Sequence, residues 1–90
     1  MITNLSQLKQ HAQKYVFTMI RHDWYPDGKL IGIPRKVEKL QTNSMKFEGG
    51  SWLDFRAAKN YKFEGDKITV SLNDDGSFTE VMEYQLTEVA

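Results

Sequence analysis

The chemistry open to this 90-residue chain is bounded first by what it lacks. It has no cysteine, so it offers neither a thiolate nucleophile nor a disulfide, and it has two histidines, His11 and His22. A zinc site wants several His, Cys or carboxylate ligands at fixed spacing. His11 and His22 have no HxxxH or HxH partner, and they read as a helix residue and a strand-end residue. Asp23 and Asp27 bracket Trp24-Tyr25-Pro26, and Asp54 lies beside Trp52. Acid–base work needs a carboxyl group in a low-dielectric pocket near a partner, and no pattern in the chain marks one. Asp74-Asp75-Gly76 resembles part of a calcium loop but lacks the alternating oxygen ligands and the closing Glu. Gly49-Gly50-Ser51 leads into a strand pattern, not into a helix with a Lys-Ser/Thr pair, so it reads as turn chemistry and not as a phosphate cradle. Ser51 has no nucleophile-elbow pattern. The expectation is a protein with no catalytic constellation, metal or cofactor.

Binding residues are easier to find. Arg35, Lys36 and Lys39 are close in sequence, and Trp24 and Tyr25 sit on a loop where an aromatic ring can stack on a base. These five form a tentative nucleic-acid site. Against it, the formal net charge is zero, and counterion-driven binding wants a basic excess. The charge is segregated, however: residues 1–46 sum to +5 and residues 47–90 to −5. The simplest reading is that strands from the two halves pair and neutralise each other. Trp52 stands between a partner-binding role and burial against the helix, with burial favoured.

These residues must be positioned by short elements. Asn4 is a good N-cap, Gln7 can close a capping box, and Leu5, Leu8 and Ala12 make one stripe of a helix over residues 3–12. Tyr15 to His22 is a strand apolar on both faces, hence central or sandwiched between sheet and helix. Lys29 to Ile33 reads as a second strand, interrupted by Gly32 and Pro34. Arg35 to Thr42 continues as a polar strand whose apolar positions, Val37 and Leu40, are three apart and imply a bulge. Met45 and Phe47, then Leu53 and Phe55, are the inward positions of the next two strands. Residues 56–60 are a connector. The sharpest signal is Tyr61 to Glu64, Gly65-Asp66, then Lys67 to Leu72: a tight hairpin with apolar positions at a period of two. The last strand is read from Phe78 to Thr87, with Phe78, Met82, Tyr84 and Leu86 on one face. The expected fold is α+β and mostly β. One domain over residues 1–90 has a short amino-terminal helix packed on a curled antiparallel sheet or small barrel of six to seven strands.

The order of several segments carries a resemblance. Leu5 and Leu8 in the first helix are followed by Arg35-Lys36-Val37-Glu38-Lys39-Leu40-Gln41-Thr42-Asn43. Then come Ser51-Trp52-Leu53-Asp54-Phe55, Ala58-Lys59 and Phe63-Glu64-Gly65-Asp66. Together these resemble small proteins encoded by phages and prophages of Gram-positive bacteria. Arg56 stands where a proline is expected and Leu40 precedes Gln41 in place of valine. The resemblance implies a compact accessory protein and transfers no site residues. The expected role is a non-enzymatic one, binding a host or phage macromolecule. The alternatives are a nucleic-acid-binding small barrel and a domain that self-associates through a strand edge. The amino terminus lacks a basic cluster leading into an apolar block, and no apolar run approaches the roughly 20 residues that span a bilayer. A location in the cytoplasm of the bacterial host is the simplest expectation.

Overall fold

Asn4 opens the helix α1 (Leu5–His11): its Oδ1 accepts from Gln7 N at 2.8 Å. The computed structural model describes residues 2–24, 28–57, 59–73, 75 and 77–89. Gln7 Oε1 turns back as in a capping box, but it accepts from Thr3 N at 2.7 Å and not from the cap residue. A 3₁₀ turn, Ala12–Lys14, leads from the helix into the sheet. Leu8 and Ala12, from the expected stripe, are fully buried.

The seven strands are β1 (Tyr15–His22), β2 (Pro34–Leu40), β3 (Ser44–Phe47), β4 (Trp52–Asp54), β5 (Asn60–Glu64), β6 (Lys67–Ser71) and β7 (Val81–Glu88). They form one antiparallel sheet in the order β4-β3-β2-β1-β7-β6-β5, curled into a half-barrel. β1 is central, one of the two placements its apolar faces allow. The Gly65-Asp66 hairpin is present, with Gly65 at φ +60°. Its register places Tyr61 opposite Val70 and Phe63 opposite Ile68, so the apolar residues of both strands share one face.

Period two explains the core. Phe17 and Met19 from β1, Val37 from β2, Met45 and Phe47 from β3, Leu53 from β4, Ile68 and Val70 from β6, and Tyr84 and Leu86 from β7 are buried together on the concave face. Two bulges adjust the phase. In β2 the register shifts between Val37 and Lys39, where the odd apolar spacing placed it. In β1 it shifts between Met19 and Arg21, leaving Ile20 43% exposed.

Helix α1 joins the core at one end of this trough, where Lys9 Nζ lies 5.3 Å from the centre of the Phe55 ring. A seven-residue helix is about 10 Å long, whereas an eight-residue strand spans about 26 Å. The helix therefore cannot cover the concave face from end to end. Phe55, just after β4, accepts a hydrogen bond through its backbone oxygen from Tyr61 Oη at 3.3 Å, so the two edges of the sheet approach each other there. None of the described helices is long and apolar enough to cross a membrane.

Four expectations change. Residues 29–33 are not a strand: Ile31 makes an isolated parallel bridge to Met19, and Ile31 N donates to Gly28 O in a turn. Gly32 and Pro34 break the segment, so pairing starts at Pro34, a position where the missing N–H is tolerated. Phe78 precedes β7 and is 37% exposed. Trp52 is 49% exposed, with Lys46 Nζ 5.9 Å from its ring centre, and is not covered by the helix. Finally, strands from the two halves do pair, β1 with β7, but few of the ion pairs among the described residues cross between the halves. Arg21–Glu83 at 3.9 Å crosses the β1–β7 seam, whereas Lys46–Glu38, Lys62–Glu64 and Lys67–Glu83 each stay within one half.

Candidate ligand-binding site

Where the helix does not reach, the trough holds a cavity of about 290 Å³. Its deep wall is made by Met19, Arg35, Phe47 and Tyr84, each less than a tenth exposed. His22 and Met82 flank it, and Gly28 to Ile31 with Ser51 and Trp52 border it. The segment over the cavity is tied down by Gly32 N donating to Met19 O at 2.8 Å. The β1 bulge decides which side chain enters. Arg21 pairs with Glu83 and His22 with Met82, so His22 points to the concave side and Arg21 to the convex one.

Arg35 is the unusual member. Two residues before Val37 on β2, it shares the concave face, and it is 6% exposed. Its guanidinium lies 4.6 Å from the centre of the Phe47 ring, a cation–π contact. Nη1 donates to Ser51 Oγ, and Nε is buried with no hydrogen-bond partner. Among the described residues no carboxylate pairs with it and no Asp or Glu lines the cavity, whereas Lys29 adds a second positive charge at the border. Burial pulls the guanidinium pKa down from its ordinary value, yet arginine stays protonated in proteins. A buried charge without a counter-charge is costly.

Tyr84 stands close by. Its ring stacks on Phe47 at 5.7 Å, and Phe17 meets both rings edge-on at 5.5 and 6.1 Å. Burial pushes its hydroxyl up to about 12, a shift that the nearby Arg35 opposes. At neutral pH the phenol is therefore a hydrogen-bond donor. The cavity thus joins an apolar lining to a guanidinium, a phenol and the Ser51 hydroxyl.

The tentative nucleic-acid residues do not converge. Arg35 is inside, while Lys36 is exposed outside because neighbours in a strand point to opposite faces, and Lys39 is exposed because the β2 bulge shifts the phase after Val37. Trp24, 52% exposed, packs against His22 with ring centres 6.4 Å apart at the end of β1, and Tyr25 lies outside the described residues. Trp52, marked for partner binding, borders the cavity. His22, Met19, Tyr84 and Ser51 were not singled out together, because strands distant in the chain bring them to one place.

The carboxylates considered for chemistry have structural ties. Asp23 pairs with Arg21 at 2.7 Å and accepts from Val81 N at 3.1 Å, which lashes the end of β1 to β7. The Arg21 hydrogen bond holds its pKa below the usual carboxylate range. Asp54 accepts from Arg56 N at 2.8 Å, and the Arg56 hydrogen bonds lower its pKa too. Asp75 accepts from Ser77 N at 2.9 Å within its turn. Asp27, Asp74 and Gly76 lie outside the described residues. Gly49 and Gly50, at φ +93° and +103°, make the β3–β4 turn, as their sequence implied. Among the described residues, no group of three His, Asp or Glu could hold a metal ion.

Comparison of the chain with protein-family models, with curated proteins and with solved structures returned no match.

Proposed function

We propose that this chain acts by binding and not by turnover, and that its recognition site is the open end of the half-barrel. The observation that carries the reading is Arg35: a guanidinium 6% exposed, facing a cavity, with no carboxylate of the described residues beside it. Natural proteins seldom leave a charge so placed unless a partner supplies the counter-charge. The phenol of Tyr84 and the hydroxyl of Ser51 are further groups suited to holding an anion. The aromatic and methionine lining supplies apolar contact, the usual make-up of a ligand pocket. The resemblance to small phage and prophage proteins of Gram-positive bacteria supports an accessory role of this kind, in which the bound group belongs to a host or phage molecule.

The methionines provide the test. Met19 and Met82 border the cavity, whereas Met45 is fully buried and does not border it. Methyl-labelled methionine NMR, with titration by a library of small anionic fragments, is expected to shift Met19 and Met82 and to leave Met45 in place. A library in which no member moves Met19 or Met82 would overturn the reading.

A further inference from the structure

We infer that the cavity takes a small monocarboxylate with a compact apolar body, its carboxylate on Arg35 and its body against Met19, Phe47 and Met82. This rests on the open end being the recognition site, and it names the class of ligand. Three observations carry it. The first is charge: one guanidinium lies deep in the site, and Lys29 is at the exposed border. A single negative charge is compensated by Arg35, whereas a phosphate dianion would bring about one uncompensated charge into a low-dielectric site.

The second observation is donor supply. Arg35, Tyr84 and Ser51 offer side-chain donors. The backbone N–H groups of the paired stretches of β1, β2, β3 and β7 are taken up by the sheet ladder, so these strands present no row of free amides of the kind that cradles phosphate. Arginine is also the side chain best matched to a planar carboxylate. The third is size and lining. The cavity's volume of about 290 Å³ lies at the lower end of the range for small-molecule pockets. That suits an aromatic acid or a medium-chain acid, and the apolar lining rewards a body without further charge.

Calorimetric titration tests this, with Met19 and Met82 shifts as the check on site. The probes are phenylacetate and octanoate, their neutral partners phenylacetamide and octanol, and inorganic phosphate. The acids are expected to bind at least 10-fold more tightly than the neutral partners and than phosphate. Arg35→Met should abolish that preference while the neutral partners bind as before. It should also fold, because it exchanges a buried charge, unpaired by any carboxylate of the described residues, for an apolar side chain of similar length. Should it fail to fold, Tyr84→Phe is the second variant, expected to reduce acid affinity about 3- to 10-fold with the neutral partners unaffected.

Equal binding of acids and neutral partners, or tighter binding of phosphate, overturns the carboxylate assignment and leaves the recognition site standing. An acid preference that survives both substitutions also overturns it. If no acid, neutral partner or phosphate moves Met19 or Met82, the recognition site falls as well.

Discussion

Arg35 and Tyr84 show how much a residue's meaning depends on its face. In the sequence Arg35 belongs with Lys36 and Lys39 as part of a basic run. In the strand it belongs with Val37, because positions two apart share a side of the sheet. Its neighbour Lys36 faces water, so one position separates a solubilising charge from a buried one. Tyr84 carries a measurable consequence. Burial pushes both Tyr84 and Tyr61 from the ordinary 10 up to about 12. For Tyr61 the nearby Asp54 adds a smaller push. A folded value above the unfolded one means that the folded chain holds the proton longer. Stability from this source is therefore whole below pH 10 and is lost as the pH rises from 10 to 12. Urea midpoints are expected to fall over that window. Absorbance titration should show a late tyrosinate component near pH 12, part of which disappears in Tyr84→Phe and part in Tyr61→Phe.

Among the elements, the β5–β6 hairpin was the most legible, since two alternating runs around Gly-Asp specify both strands and their turn. Gly65 sits at φ +60°, and a Cβ placed there meets no atom within 4 Å. The cost of a side chain is therefore conformational alone. Gly65→Ala is expected to lose about 1–2 kcal/mol, and Gly65→Asn less, because asparagine tolerates the left-handed region. Urea denaturation of the three proteins checks the order. The bulge in β2 was also legible, since Val37 and Leu40 cannot both face inward without one extra residue. The bulge in β1 was not. Tyr15 to Ile20 is apolar on both faces, so no break in alternation marks Ile20 as the residue left over. That concealed bulge sends His22 and not Arg21 into the cavity. The supposed strand at 29–33 misled because Leu30, Ile31 and Ile33 are good strand formers, and Gly32 with Pro34 outweighed them.

At the scale of the molecule, sheet and helix form one core, which includes Leu8 and Ala12 from the helical segments and side chains from six of the seven strands. Leu8, fully buried, joins the two parts. Leu8→Ala is expected to cost about 2–5 kcal/mol and to shift the whole urea transition as one step, with no separate melting of the helix. A biphasic transition would contradict a single core. Because the helix serves one end of the trough, the same substitution is expected to leave the Met19 and Met82 environments unchanged in the folded protein. Methionine methyl spectra below the transition would show this.

Local pattern alone determined the helix with its Asn4 cap, the β5–β6 hairpin and the mostly antiparallel character of the chain, and it narrowed β1 to a central or covered strand. Each of these follows from side-chain period and turn chemistry within a few residues. The order of the strands, which put β4 and β5 at opposite edges, was decided by tertiary structure, and so was the cavity. A pocket exists here because a short helix meets longer strands and cannot fill the trough they make. Arg35 becomes its floor because β1, β3 and β7, drawn from separate stretches of the chain, surround it. No run of neighbouring residues records either fact.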